Sequence, residues 1–285
     1  MQAVQRSSPS IQDGIGPRDF DRLAKFIYSY SGIKMPSTKV TMLEGRLRKR
    51  LRVTGHSNFD SYCHYLFKED GLEAETIHLI DAVTTNKTDF FREPNHFQYM
   101  VDKVLPELVG QRHREIRTWS SACSIGAEPY TIAMVMESYF QEMAPDVRYQ
   151  ILATDLSTDV LRTAHKGIFT PEMVDPVPPV LRQRYVMQSK DKNRNEVRIH
   201  PRLRARVGFA RLNLMDEKYP VGDPMHMIFC RNVMIYFDKQ TQAGVLSRLC
   251  ECLRPGGYLF IGHSETIAGF DLPLATVANT IFQRI

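Results

Sequence analysis

The stretch Met225-His226-Met227-Ile228-Phe229-Cys230-Arg231-Asn232-Val233-Met234-Ile235-Tyr236-Phe237 decides how this chain folds. A short apolar run of strand type stops at Arg231-Asn232, and the residues after it, Tyr236 among them, have helix or loop character. In an open α/β sheet, ligands bind in the crevice outside the carboxyl ends of the parallel strands. A polar Arg-Asn pair planted at such an edge therefore points to ligand contact; the plainer alternative is a capped strand end with a solvated arginine.

The same pattern recurs upstream. Glu115-Ile116-Arg117-Thr118-Trp119-Ser120-Ser121-Ala122-Cys123-Ser124-Ile125-Gly126-Ala127-Glu128-Pro129-Tyr130 runs from a strand through small residues and a glycine into a helix that reaches about Phe140. Small residues let the backbone approach a ligand, and a helix N-terminus offers free N–H groups. The spacing is not G-x-G-x-x-G, which weakens a dinucleotide reading. Glu128 suits the helix dipole in a first turn as well as it suits a ligand. Tyr149-Gln150-Ile151-Leu152-Ala153-Thr154-Asp155 is a second strand ending in an acid, 27 residues after Glu128. Such an acid can accept from the ribose hydroxyls of an adenosine cofactor, or cap a helix. Ser157 is placed to cap the helix Thr158–His165, which leaves Asp155 for a ligand.

Working outward, residues 18–31, 36–53, 57–67 and 72–83 read as helices separated by Gly32, Gly55-His56 and Asp70-Gly71. The expected organisation is a disordered lead-in over 1–16, a helical domain over 17–85, a linker over 86–94 and an α/β domain over 95–285. Pro94 opens a helix that runs to about Val109. Strands and helices then alternate, the sign of a mostly parallel sheet. The alternation breaks over about 171–205, where Tyr185-Val186-Met187-Gln188 and Val197-Arg198-Ile199-His200 can pair as a hairpin across Lys190–Asn195. This reads as an inserted antiparallel subdomain.

Length and composition agree: 285 residues, 43% of them hydrophobic, suit one large domain and a smaller companion. No apolar run approaches the roughly 18 residues of a membrane span. Five cysteines without paired Cys-x-x-Cys sets make a zinc site unexpected, and reduced thiols in the cytoplasm are the expected state. The net charge of +5 is concentrated. Leu43, Leu47 and Leu51 would face the core of one helix, which places Arg46, Lys49, Arg50 and Arg52 on its outer faces. Such a face is a solvated surface or a dock for an acidic protein. Nucleic acid is not expected, because aromatic residues do not alternate with the cations.

Four spaced blocks now carry a resemblance: Thr84-Thr85-Asn86-Lys87-Thr88-Asp89-Phe90-Phe91-Arg92-Glu93; Glu128-Pro129-Tyr130; Cys230 to Phe237; and Leu253-Arg254-Pro255-Gly256-Gly257-Tyr258-Leu259 with Gly262-His263-Ser264-Glu265. Over about Phe20 to the C-terminus the chain resembles the CheR family of S-adenosylmethionine-dependent methyltransferases, which methylate glutamates of bacterial chemotaxis receptors. The resemblance implies an α/β fold: an all-helical N-terminal domain, then a Rossmann-like methyltransferase domain with an inserted antiparallel β-subdomain. It implies cofactor contacts at Asn86, Thr88, Arg92, Glu128, Asp155, Asn213, Leu214, Arg231 and Asn232, with Arg92 and Tyr236 at the methyl-transfer point. S-adenosylhomocysteine would be the product. Arg46, Lys49 and Arg50 would then meet the acidic cytoplasmic methylation helices of membrane chemoreceptors, and the protein would act as a cytoplasmic monomer.

Some members dock a receptor's C-terminal peptide at the β-subdomain and carry glycines in its hairpin loop. The loop Lys190–Asn195 has none, so that peptide is a weaker candidate partner. Ala127 stands where the family has a second Glu, and Ile125 where it has Ser or Thr. A nucleic-acid amino-methyltransferase would place Asn/Asp-Pro-Pro-aromatic where Cys230-Arg231-Asn232-Val233 stands. A non-catalytic binding module would have lost Arg92, Glu128 or Asp155. An oxidoreductase would carry the glycine fingerprint.

Overall fold

In the first unit of the chain the leucine spacing produces helices α1 (Pro17–Ser31), α2 (Val40–Thr54), α3 (Phe59–Lys68) and α4 (Gly71–Val83). This computed structural model describes residues 14–191 and 193–285, and its contacts divide the chain into units Met1–Thr84 and Thr85–Ile285. Residues 1–13 of the expected lead-in and Lys192 of the hairpin loop lie outside the described residues. Proline at the first position starts α1, and left-handed glycines, Gly32 at φ 71° and Gly55 at φ 78°, close α1 and α2. Leu43, Leu47 and Leu51 are buried as their spacing requires. Ile15 is buried too, and its N–H donates to Glu44 Oε1 at 2.8 Å, so this part of the lead-in is anchored.

The outer-face placement of two arginines on α2 is corrected. Arg46 donates to the carbonyls of Val83 and Thr84 at the end of α4. Arg50 forms a two-pronged bond with Glu75 (3.0 and 2.6 Å), whose carboxylate also accepts from Tyr62 Oη at 3.0 Å. Glu75 is only 4% exposed, and a carboxylate that deep needs a charged, fully bonded partner. Arg48, Lys49 and Arg52 are the exposed cations of this helix.

The second unit begins with α5 (Pro94–Tyr99), a wider turn of π type (Met100–Val104) and α6 (Leu105–Gly110). Then come β1 (Glu115–Ser121), α7 (Ala127–Met143), β2 (Arg148–Asp155), α8 (Thr158–Lys166) and β3 (Ile168–Phe169). α9 (Pro179–Tyr185), β4 (Val186–Gln188), β5 (Val197–Ile199), α10 (Pro201–Arg204) and β6 (Val207–Arg211) follow. The unit closes with β7 (Met225–Cys230), α11 (Lys239–Cys252), β8 (Leu253–Ile261), β9 (Leu274–Ala278) and β10 (Ile281–Arg284).

The main sheet has the order β6-β2-β1-β7-β8-β10-β9. Its first five strands are mutually parallel, and β10 runs antiparallel to both β8 and β9. All six residues of β7 are buried, because the strand is paired to β1 and β8 and covered on both faces. The Phe229 and Phe260 rings stack across the β7–β8 pair at 4.2 Å. The inserted hairpin forms with Val186 opposite Ile199 and Gln188 opposite Val197, and β3 adds a third antiparallel strand. The fold is therefore the expected helical domain followed by a mostly parallel α/β domain with a small antiparallel sheet. Among the described residues no helix is long and apolar enough to cross a membrane.

Residues 85–93 belong to the second unit. Phe90 is buried in its core, and Phe91 N–H donates to Thr131 Oγ1 at 3.2 Å. The stretch expected to act as a linker is thus packed onto the sheet domain, because two adjacent aromatics have apolar surface to bury.

Candidate functional site

The parallel strands end on one edge of the sheet, and the loops that leave them there hold most of the residues singled out by sequence. After β1 the chain turns through Ala122, Ser124 and Gly126 at φ 59°, 52° and 94°. A Cβ on Gly126 would lie 3.0 Å from that of Ala164, so the close approach of α7 to α8 requires glycine. Ser124 N–H donates to Asp155 Oδ2 at 2.8 Å, and Ser157 N–H donates to Asp155 Oδ1 at 2.9 Å. Ser157 Oγ accepts from Val160 N–H and caps α8. Asp155 is thus buried and oriented, tying the β1 loop to the end of β2. The Asn86 carbonyl accepts from Ser124 Oγ at 2.8 Å, which brings the 86–93 segment to the same loop. Leu212 N–H donates to the Asp155 carbonyl at 3.1 Å and so sets Asn213 and Leu214 beside it. Asn213 Oδ1 accepts from Met215 N–H, while the Leu214 carbonyl accepts from Tyr219 Oη and Arg248.

A second network centres on Arg231, whose side chain is 2% exposed. It donates to Glu128 Oε2 at 3.1 Å, to Glu93 Oε2 at 2.9 Å and to the Arg92 carbonyl at 2.5 Å. Glu128 Oε1 accepts from Ser120 Oγ at 2.7 Å. Glu93 Oε1 accepts from Asn232 Nδ2 at 3.1 Å and from His263 N–H at 3.2 Å. One guanidinium therefore serves two carboxylates, and their titrations diverge. For Glu93, burial pushes the carboxyl up, but the bonds and charge of Arg231, with Asn232 and the His263 N–H, bring it down to about 2. For Glu128, burial dominates and raises it, with Arg231 and Ser120 offsetting only part.

Glu265 builds the turn that follows β7. Its buried carboxylate accepts N–H bonds from Gly262 (2.6 Å), Asn232 (2.9 Å) and Met234 (2.8 Å). These bonds hold Asn232 at φ 59° and set the short 3-10 turn Met234–Tyr236. A Cβ on Gly262 would stand 2.4 Å from Asn232 Nδ2, so this position also demands glycine. Tyr236 lies half-buried at the end of that turn.

The geometry gathers Asn86, Arg92, Glu128, Asp155, Arg231 and Asn232 into linked networks, with Asn213 and Leu214 adjoining through Asp155. Thr88 is half-buried in the same 86–93 segment. Arg92 directs its guanidinium to the Lys87 carbonyl at 3.3 Å. Arg46, Lys49 and Arg50 belong to the other unit. Sequence reasoning missed Glu93 and Glu265. Both stand inside the motif blocks, and an acid at each, amid so many basic and amide groups, was the available signal.

Comparison with known proteins adds a family. A family model described as the S-adenosylmethionine-binding domain of CheR methyltransferase matches residues 86–282, and one described as the all-alpha domain of CheR methyltransferase matches residues 18–84. The chain is 40% identical over 255 residues to a chemotaxis protein methyltransferase of Borreliella burgdorferi, covering 88% of this chain and 89% of that one. It is 38% identical over 263 residues to one of Salmonella typhimurium (92% and 88% covered). Over 264 residues it is 36% identical to chemotaxis protein methyltransferase 2 of Pseudomonas aeruginosa (93% and 92% covered).

Proposed function

Because this chain belongs to the CheR methyltransferase family and carries its S-adenosylmethionine-binding domain, we propose that it methylates glutamate side chains of membrane chemoreceptors. The products would be glutamyl methyl esters and S-adenosylhomocysteine. The observation that carries this reading is the fixing of Arg92: Arg231 grips its backbone carbonyl at 2.5 Å, beside the strand-edge networks. That bond holds the Arg92 backbone, and its guanidinium, bonded among the described residues only at one nitrogen to the Lys87 carbonyl at 3.3 Å, is a fork that suits a carboxylate acceptor.

The residues at the strand edge fit an adenosine cofactor. The turn after β1 passes through left-handed residues, and the oriented Asp155 lies at the neighbouring strand end. When bound, S-adenosylmethionine supplies a methyl group activated by its sulfonium charge. Asp155 would hold the ribose hydroxyls, Asn213 and Leu214 the adenine, and Glu128 the ammonium end. Asn86, Thr88, Arg231 and Asn232 would complete the cradle. Arg231 would act chiefly by holding Glu93, Glu128 and Arg92 in place.

A glutamate carboxylate, with an ordinary pKa of about 4.3, is already ionised at neutral pH, so the acceptor needs no general base. The work of the chain is alignment and exclusion of water. Arg92 orients the acceptor carboxylate, and the Tyr236 hydroxyl steadies it at the transfer point. The exposed cations Arg48, Lys49 and Arg52 of α2 would attract an acidic receptor surface, a role that Arg46 and Arg50 give up to their structural bonds. The test is labelled S-adenosylmethionine with a receptor cytoplasmic fragment. Label should enter the fragment and vanish when the glutamates of its helices are replaced by alanine. Undiminished labelling of the alanine fragment contradicts the proposal.

A further inference from the structure

Three ligand atoms converge beside the Arg231 network: Glu93 Oε2, His96 Nδ1 and His263 Nε2 all lie within 4.8 Å of one another. Glu93 Oε2 is 3.6 Å from His96 Nδ1 and 3.9 Å from His263 Nε2. With the Thr280 hydroxyl assigned to the Asn279 carbonyl, the tautomer of His96 follows. The Thr280 hydroxyl donates to the Asn279 carbonyl at 2.7 Å, so its oxygen accepts from His96 Nε2–H at 2.8 Å. Nδ1 of the neutral ring then carries a lone pair. His96 is 1% exposed, and its Nδ1 has no hydrogen-bond partner among the described residues. Its lone pair faces the Glu93 carboxylate, another acceptor. Two acceptors opposed in a buried place are unfavourable, and an electron-pair acceptor between them relieves the conflict.

We infer that Glu93, His96 and His263 bind a transition-metal dication of the zinc class, and that its binding switches methyl transfer off. Two imidazole nitrogens and one carboxylate oxygen, with solvent in the fourth position, form a donor set that zinc adopts. Ligand atoms about 2.0–2.1 Å from a tetrahedral centre stand about 3.4 Å apart. The 3.6 and 3.9 Å separations from Glu93 need only small contractions, and the two imidazole nitrogens, within 4.8 Å of each other, close by a shift of the exposed His263 ring. His263, with its side chain 40% exposed, supplies both the entry path and the mobility. Magnesium and calcium prefer oxygen donors and would not use the imidazole pair.

The switching follows from shared use of one oxygen. Glu93 Oε2 also accepts from Arg231 at 2.9 Å. A dication on that oxygen repels the guanidinium and competes for Glu93. Arg231 would then lose one of the partners that fix it, and with it the grip on the Arg92 carbonyl. This consequence rests on the proposed transfer reaction, whereas metal binding does not.

The experiment titrates the metal-free full chain with Co2+, reading the visible d–d bands of a four-coordinate ion, and displaces it with Zn2+. One equivalent should bind. His263→Gln, a change at an exposed residue, should weaken binding at least about tenfold, as loss of a ligand or its support does. Cys252→Ser, which removes a partly exposed thiol, should leave it unchanged. Zn2+ should inhibit methyl transfer by the wild-type chain at concentrations that fill the site, and Mg2+ should not. Failure to bind one equivalent, or binding that His263→Gln leaves intact, overturns the site. Full occupancy with unimpaired methyl transfer overturns the switch.

Discussion

Replacing Glu93 by Gln keeps the size of the side chain and removes the charge that Arg231 shares with Glu128. Holding the Glu93 carboxyl at about 2, against an ordinary 4.5, means the folded chain favours its ionised form. At about 1.4 kcal/mol per pH unit, that preference is about 3 kcal/mol. An independent estimate agrees. Removing one partner of a buried ion pair costs about 3–5 kcal/mol, and Glu128 remains beside Arg231, which favours the lower figure. The sign is that of a depressed acid. The contribution is complete above 4.5 and fades as pH falls toward about 2. Urea unfolding followed by the fluorescence of Trp119, the single tryptophan, reports on the second unit because Trp119 lies buried in β1. At neutral pH the wild type should exceed Glu93→Gln by about 3 kcal/mol, and the gap should shrink steadily in acid below 4.5. A neutral-pH gap under about 1 kcal/mol, the size of an exposed pair, or a gap that ignores pH, refutes the reasoning.

The other predictions address the ligand, the partner and the transfer step. Asp155→Asn should weaken S-adenosylmethionine binding by about 1.5–3 kcal/mol, the range for hydrogen bonds to a charged acceptor. Asparagine is preferred to alanine because its carbonyl oxygen keeps an acceptor for one of the two N–H groups, Ser124 or Ser157, that Asp155 serves; unchanged affinity by calorimetry removes the ribose role. Reversing the exposed Lys49 and Arg52 to Glu should raise KM for receptor fragments and spare cofactor affinity, and the wild-type reaction should slow with salt as charges are screened over about 8–10 Å. Normal methylation by that double mutant at low salt would make the face mere solvated surface. Tyr236→Phe should lower single-turnover rate at saturating cofactor with affinity nearly constant, while Arg92→Ala should damage both; an unaltered rate for Tyr236→Phe would leave that ring a packing role alone.

What the sequence discloses depends on how local the cause is. The buried strand β7 was legible because its apolar run is continuous and ends at a charged pair. The inserted hairpin was legible from two β-rich runs flanking a polar turn, whereas β3, at two residues, has no periodicity to read. The role of Ser157 as a cap follows from its place one residue before the helix. Long-range polar pairing was not legible. Helical spacing put Arg50 on an outer face, yet its partner Glu75 lies 25 residues on, on another helix. Arg231 finds Glu93 across 138 residues, and no local pattern announces that bond. The packing of 86–93 onto the sheet domain escaped for the same reason, since what anchors it is a set of contacts to α7 and to the loops after β1 and β7.

Methyl transfer to a protein carboxylate leaves a product whose chemistry distinguishes it from every N-methylated one. Receptor cytoplasmic fragments are incubated with this chain and methyl-labelled S-adenosylmethionine, separated from cofactor, and treated with mild alkali. A glutamyl methyl ester hydrolyses and releases its label as methanol, so the label should leave the protein as a volatile product. Label that stays on the fragment through alkali would mark an N-methyl product and rule out glutamate esterification.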